Sequence, residues 1–523
     1  MSADTSRVHR SIFKKTTRDN MAREHRFMSA ERVEGYTDAV YAIVITILIV
    51  PIAGDVADYD MDKTLFENLY DELSVFLIYI LAFIFIYSIW EDHVWIFSAI
   101  EHVADTVSLA NIVLLLPITF LPYSVTLLSE FIEDAFAIFM LTSCVIVASC
   151  LEILITCVAF SRPKMLKEEV RGHEARIYLR GMMVLKSSVK IVLAGFATGL
   201  AFASPYASWA FLILLVFHDA IAAVCIGIYN YYKGFSVGLY RHRHCGKYLW
   251  HHLFEMKLDK DRVAVFSDGV FSIVATLIIL DLSTDAVPSV DAETSKSLRE
   301  TLAENQHMFL SYLASFVTVG LLWINHQAVV HHVSVVTRLM SALNKASLLF
   351  LGLLPFCFKL VAEYAGDSTD RNENYVVQIN SACMFFASIC QLLLYAAACR
   401  HSDKHFHDSH KGLSKIHVIC KLLIIPIISL IGFCVCFMPN TVDADVISIC
   451  TTCVILLYAI LKLVMEIVHN VKPDCGTADE GDEDVDMNAT EINGIENKSA
   501  GTVEEKSCDN DVSELSIDSG TKL

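Results

Sequence analysis

Arg32-Val-Glu-Gly-Tyr-Thr-Asp38 opens a hydrophobic run near the start of the chain, and Arg262-Val-Ala-Val-Phe-Ser-Asp268 opens a second one past its midpoint. Aligned without gaps, residues 32–52 and 262–282 agree at eight of 21 positions, and most other pairs are close exchanges such as Tyr36/Phe266 and Thr37/Ser267. The offset then lengthens slightly and holds: Trp90, His93, Asn111, Pro122 and Glu130 match Trp323, His326, Asn344, Pro355 and Glu363 in unbroken register. Polar and conformationally special residues matched at a constant offset mark an internal duplication, so the architecture reads as two homologous halves.

Composition decides the solvent. The chain has 523 residues, of which 54% are hydrophobic, and its mean hydropathy of +0.50 is too high for a water-soluble protein of this size. Crossing the ~30 Å hydrocarbon layer takes about 20 helical residues. Apolar stretches of that order lie near 34–52, 74–98, 106–128, 134–161, 181–204 and 208–231 in the first half, and near 264–282, 307–330, 341–365, 374–399, 416–439 and 444–469 in the second. These runs are far too long for barrel strands, and a lone strand leaves its backbone unsatisfied in lipid. The expected fold is an all-α polytopic membrane protein with 12 transmembrane helices, arranged as two parallel six-helix repeats.

Loop charge sets the expected orientation, because basic loops stay cytosolic. Residues 54–73 carry Asp55, Asp58, Asp60, Asp62, Glu67, Asp71 and Glu72 against Lys63 alone, and so read as luminal or external. Arg7, Arg10, Lys14, Lys15 and Arg18 precede the first span, Arg162, Lys164, Lys167, Arg171, Arg176 and Arg180 follow the fourth, and Lys233, Arg241, Arg243 and Lys247 follow the sixth. All three basic segments then fall on one side, with both termini cytosolic. The expected organisation is a cytosolic basic N-terminus (1–31), repeat I (32–231), a cytosolic linker (232–261), repeat II (262–470) and a disordered acidic cytosolic tail (471–523). Residues 473–523 hold 15 carboxylates and three Lys, which accounts for most of the net charge of -19. With little hydrophobicity such a segment cannot fold alone; it reads as a solvated terminus or, as a second reading, as a contact for cytosolic regulators or kinases. The 16 cysteines sit mainly in spans and cytosolic segments, so no disulfide framework is expected. The first span is expected to act as its own insertion signal.

A carboxylate at the mouth of an apolar span demands a partner or a function. Asp38 and Asp268 are such carboxylates, placed where the positive end of the helix dipole favours them. They read either as members of an interhelical ion-pair network or as an ion site. At 100° per residue Asp38 lies about 140° around the helix from Ile43, so both cannot face one pore. An apolar face through Ile43, Ile47 and Val50, with Thr46 beside it, repeats as Ile273, Leu277 and Leu280 with Thr276. The charged motif then takes the structural role, joined by Arg32, Tyr36, Thr37 and Arg262, Phe266, Ser267. Trp90-x-x-His93 and Trp323-x-x-His326 put an indole and an imidazole on one helix face, and Asn111 and Asn344 read as glue between helices. One His per helix is too few for metal ligation, so no metal site is expected. The loop clusters His401, His405, His407, His410 and His242, His244, His251, His252 read as solvated basic residues.

A P-loop, a nucleophile elbow and an HExxH motif are all missing, which argues against an enzyme and for membrane transport. The TVGYG filter and any Arg-rich voltage sensor are missing too. A channel, a twelve-span secondary transporter and a membrane scaffold remain open; the run without Gly or Pro through 39–50 and 270–280 speaks against a carrier with broken helices.

The paired Arg-x-x-x-[Phe/Tyr]-[Ser/Thr]-Asp openings, each followed by Trp-x-x-His and then by Asn with a late Pro, resemble the transmembrane protein 175 family of endosomal and lysosomal potassium channels over residues 30–470. Tyr36 and Thr37 depart from the family's usual Phe and Ser, which Phe266 and Ser267 keep. The resemblance implies a homodimer in which four motif-bearing first helices surround a central pseudo-fourfold pore. By position, Ile43 and Ile273 match the family's isoleucine constriction, with Thr46, Ile47, Val50, Thr276, Leu277 and Leu280 as pore lining. It further implies passive, non-voltage-gated K+ flux with proton permeation beside it, a place in endosome and lysosome membranes, no cofactor and no nucleic-acid partner. Acidic luminal loops would concentrate cations at the outer mouth.

Overall fold

The computed structural model describes residues 27–56, 59, 63–233, 257–285, 299, 306–364, 370–400, 413–437 and 460. All of them lie in one compact unit, Met1–Met465; the second unit, Glu466–Leu523, and with it the expected acidic tail, lies outside the described residues. The protein is an all-helical membrane protein. Its first half begins with a strand β1 (Phe27–Ser29), helices α1 (Ala30–Ile47), α2 (Val50–Asp55), α3 (Leu65–Asp71) and α4 (Leu73–Ser98), and a strand β2 (His102–Ala104). Helices α5 (Asp105–Glu130), α6 (Ala135–Ser161), α7 (His173–Ala201), α8 (Pro205–Val216) and α9 (His218–Lys233) follow. The second half holds β3 (Lys257–Leu258), α10 (Lys260–Asp285), α11 (Gln306–His332), β4 (Val336–Thr337), α12 (Arg338–Gly352), α13 (Leu354–Glu363), α14 (Asp370–Arg400) and α15 (Leu413–Val435).

Among the described residues ten stretches are long and apolar enough to cross a membrane, and the bent pair α8–α9 makes an eleventh. The expected twelfth stretch, 444–469, lies outside the described residues except for Ile460. In each half a short antiparallel ladder ties the start of the first span to the start of the third, a feature absent from the hydropathy pattern. Met28 pairs with Val103 and Leu258 with Val336, and the second pair occupies the positions that match the first across the duplication.

Local chemistry explains three of the helix starts. The first span pauses at Leu48 and Ile49 and restarts with Pro51 in the first turn of α2, where the missing N–H costs nothing. Pro355 does the same at the start of α13. In the acidic loop, Thr64 and Glu67 form a reciprocal capping box that starts α3. The sixth apolar stretch is not one straight helix: α8 and α9 meet at a 73° bend around Phe217, with neither Gly nor Pro at the break.

The two halves meet where α1 crosses α10. At Gly269 a Cβ would sit 2.9 Å from the Cβ of Ala42, inside van der Waals contact and against an atom that cannot swing away. The crossing therefore needs a residue without a side chain at this point. Overpacking of a rigid contact costs roughly 1–3 kcal/mol. Gly269→Ala should lower the thermal unfolding midpoint of the detergent-solubilised protein, and adding Ala42→Gly should recover most of the loss; a Gly269→Ala variant as stable as the parent would show that the crossing is loose.

Candidate functional site

The α1–α10 crossing is where the repeated motif gathers. Arg262, at the start of α10, reaches across to Asp38 on α1 with two parallel bonds, Nε to Oδ2 and an Nη to Oδ1, both 2.6 Å. Trp90 Nε1 donates to the same carboxylate at 2.7 Å. Asp38 is wholly buried and Arg262 nearly so. Removing one partner of such a pair strands a charge at a cost of roughly 3–5 kcal/mol. Phe266 lies one turn after Arg262 and stacks on Trp90, with ring centroids 4.1 Å apart.

A directional chain of hydrogen bonds backs this pair. An Arg262 Nη lies 3.5 Å from His93 Nδ1, and His93 Nε2 is 2.8 Å from Asn111 Oδ1. Guanidinium only donates, so Nδ1 accepts and the His93 proton sits on Nε2. Asn111 then donates to Thr37 Oγ1, which donates to the Val33 carbonyl, both at 2.8 Å. In the second half Trp323 Nε1 donates to Asp268 at 2.8 Å, His326 Nε2 meets Asn344 at 2.9 Å, and Asn344 donates to Ser267 at 3.0 Å. A second polar contact joins the halves: Lys345 on α12 pairs with Glu91 on α4 at 3.0 Å, and Ser341 donates to Glu91 at 2.5 Å.

The duplicated partners of the Arg262 set are laid open. Arg32 and Tyr36 are exposed on α1, Tyr36 by 59%, where Phe266 is fully buried. Trp323 is 39% exposed, where Trp90 is fully buried. Asp268 receives Trp323 and, at 3.4 Å, Gln327, but no arginine among the described residues. His326 Nδ1, which matches the atom of His93 that Arg262 approaches, is buried and has no hydrogen-bond partner among them.

The stripe expected to meet the ion is placed unevenly. Ile43 and Ile47 are exposed on α1 on the same face as Arg32, Tyr36 and Ala39, all within about 40° of Ile43 around the helix. Val50 is half-buried. Thr46 departs from the expected lining: it is buried, and its hydroxyl donates at 2.9 Å to carbonyls of its own helix, those of Ala42 and Ile43. In α10 Thr276 and Leu280 are exposed, while Ile273 and Leu277 are half-buried.

The structure also assembles residues that the repeat pattern does not single out. Asp92 on α4, Glu152 on α6, Lys186 and Lys190 on α7, and His218 and Asp219 at the α8–α9 bend form one ion-paired cluster in the first half. Each lies within an apolar stretch, and ionisable residues there are signal enough. Asp92, His218 and Asp219 are spaced like metal ligands. Lysine ammonium groups already occupy their oxygens, however, and two neighbouring positive charges oppose a cation.

Comparison with known proteins places this geometry. A family model described as "Endosomal/lysosomal potassium channel TMEM175" matches residues 32–122 and again 262–355. The chain is 32% identical over 416 residues to an endosomal/lysosomal proton channel TMEM175 of Gallus gallus, covering 77% of this chain and 81% of that protein. It is 29% identical over 469 residues to the proton channel of the same name in Danio rerio, covering 88% and 89%. A Streptomyces collinus protein named as a potassium channel is 32% identical over 126 residues, which are 24% of this chain and 58% of that one. The matched segments hold both copies of the motif and both of the bonded networks described above. The chain is a multi-pass membrane protein of the TMEM175 family of ion channels.

Proposed function

We propose that this protein is a potassium-permeable, non-voltage-gated cation channel of endosomes and lysosomes that also passes protons, built as a homodimer with twelve spans per subunit and cytosolic termini. The observation that carries the reading is the split use of the duplicated motif. Arg262, Phe266 and Gly269 are engaged inside the chain by Asp38, Trp90 and Ala42, while Arg32, Tyr36 and Ala39 stand exposed on one helix. Asp268, Trp323 and His326 Nδ1 form the matching half-filled acceptor. A second copy related by a twofold axis supplies each set to the other, and this isologous closure gives a ring of four first helices. Arg32 then binds the partner's Asp268, and Tyr36 covers the partner's Trp323.

Within that ring the exposed faces of α1 and α10 surround the pore, and Ile43 and Ile273 form an apolar neck. Such a neck acts through the cost of dehydrating an ion, so conduction is passive and selectivity follows hydration energy. Ile47, Val50, Leu277 and Leu280 continue the apolar wall, and Thr276 offers a hydroxyl. The names of the relatives, potassium channel and proton channel, support both ions. A carrier reading draws on one feature, the broken sixth span with charges at its break; unitary current steps support the channel, and saturable coupled flux supports the carrier.

Two outcomes test the assembly and the pore. Arg32→Ala should shift the solubilised protein from dimer to monomer in native mass spectrometry while preserving the fold of each subunit. Arg262→Ala should instead unfold the subunit, because it strands the buried Asp38 at a cost of roughly 3–5 kcal/mol. Equal dimer fractions for Arg32→Ala and the parent would remove the seam between copies. For the pore, Ile43→Asn combined with Ile273→Asn should wet the neck, raising the current and lowering potassium-over-sodium selectivity in recordings from enlarged lysosomes. Unchanged currents and reversal potentials would take both isoleucines out of the filter.

A further inference from the structure

The second half carries a neutral copy of the buried ion cluster, and the polar groups of that copy lack partners. Asn325 on α11 stands at the position matching Asp92 on α4, in the register that also pairs His93 with His326. Further along the chain the register lengthens once more: Thr142, Ser149, Glu152 and Ala159 of α6 fall on Ser381, Ser388, Gln391 and Ala398 of α14. Carried on to α7 and α15, it pairs Met183, Lys186, Lys190 and Ala197 with Leu422, Ile425, Ser429 and Cys436, and both members of every pair are buried. Gln391 therefore stands where Glu152 does, and Ser429 where Lys190 does.

In the first half these positions are joined by one cation. Lys190 Nζ lies 2.8 Å from Asp92 Oδ2 and 2.6 Å from Glu152 Oε2, and Ser187 donates to the same Glu152 oxygen at 2.7 Å. A single ammonium thus ties together α4, α6 and α7. The second half has exchanged every member of the set. Asn325 and Gln391 keep the shape of Asp92 and Glu152 without the charge, Ser429 falls short of the place of the ammonium, and Pro426, at the position of Ser187, has no hydroxyl to offer.

The exchange leaves three atoms stranded. Asn325, Gln391 and Ser429 are each at most 3% exposed. Asn325 Nδ2, Gln391 Oε1 and Ser429 Oγ are buried with no hydrogen-bond partner among the described residues. Buried polar atoms of folded proteins nearly always have a partner, supplied by the chain or by ordered water. The Gln391 amide cannot escape by turning over, because its Nε2 donates to the Leu322 carbonyl at 3.3 Å and that oxygen only accepts. Its Oε1 is therefore fixed as an unfilled acceptor. Leu322 lies one turn before Asn325, so Gln391 meets α11 at the level of Asn325.

The chemistry of the three atoms selects the ligand. An amide N–H opposes a cation, an amide oxygen opposes an anion, and a hydroxyl both donates and accepts. Water answers all three: it accepts from Asn325, donates to Gln391 and shares a third bond with Ser429, and about three bonds is usual for a buried water. Volume is released where Ser429 replaces Lys190 and where Gly432 replaces Leu193. We propose that the second half binds an ordered water molecule at the place of the Lys190 ammonium, held by Asn325, Gln391 and Ser429 and bridging α11, α14 and α15. A lysine cannot leave its site, whereas a water can. The helix that carries His326 is thus held by an exchangeable ligand, and the helix that carries His93 by a tethered one.

The water site belongs to the single subunit and stands apart from the channel reading. Cryo-electron microscopy of the full-length protein in lipid nanodiscs, at a resolution that shows waters, should reveal one peak roughly 2.7–3.2 Å from Asn325 Nδ2, Gln391 Oε1 and Ser429 Oγ. A dry site, a side chain filling it, or direct bonds among the three would overturn the proposal. Thermal unfolding of the solubilised protein reads the same water through its partners. Asn325→Leu and Gln391→Met each strand what remains of the bridge and should each lower the midpoint. The double variant evicts the water, so its shift should be clearly smaller than the sum of the two. Single variants as stable as the parent, or shifts that simply add, would also overturn the proposal.

Discussion

A charged carboxylate inside an apolar helix bundle has to find a cation, and for Asp38 that cation is Arg262, which comes from the other half of the chain. The arginine of its own helix cannot serve: Arg32 and Asp38 lie six residues apart, about 120° around the helix, and point to different neighbours. From this one restriction the arrangement follows. The start of α10 must lie across α1, Gly269 must be bare where the backbones close, and Phe266 must cover the indole that also binds Asp38. His93, Asn111 and Thr37 then fix the orientation of the arginine through bonds whose direction is set by the donors available.

The same restriction, applied to the second copy of the motif, leaves a demand that the described residues of one chain do not meet. Among the described residues Asp268 has an indole and an amide but no cation, and Arg32 has no carboxylate. The proposed dimer would resolve both. The two kinds of seam are not identical: Lys345 and Glu91 lock the seam inside the chain, whereas the matching positions are the apolar Ile112 and Ile324. In the proposed dimer the seam between copies would keep the buried ion pair and lack the second one, which would make it the weaker of the two.

Much of this is legible in the sequence. The constant register between the halves identifies the motif residues, and the helical period separates the Asp38 face from the Ile43 face without any coordinates. The partner of each motif residue is not legible, because residue types at a fixed spacing name the members of a network and not which half bonds to which. Thr46 is missing from the exposed stripe because angular neighbours on a helix share a face only if the packing partner leaves it open, and here it is buried, its hydroxyl turned back to the Ala42 carbonyl. The α8–α9 bend carries no Gly or Pro to announce it. Asp92, Glu152, Lys186 and Lys190 stand in plain view inside apolar stretches, but a duplication points to what the halves share, and this cluster belongs to one half.

In the proposed dimer the motif seam seen inside the chain recurs between two chains. A structure of the full-length protein in a lipid nanodisc tests it most directly, through the surroundings of Arg32. The expected result is a dimer in which Arg32 makes a two-bond pair with the partner's Asp268, as short as the 2.6 Å bonds of Arg262 to Asp38, with the partner's His326 Nδ1 accepting behind it. A particle in which Arg32 faces water or lipid headgroups while Asp268 keeps only Trp323 and Gln327 would contradict it.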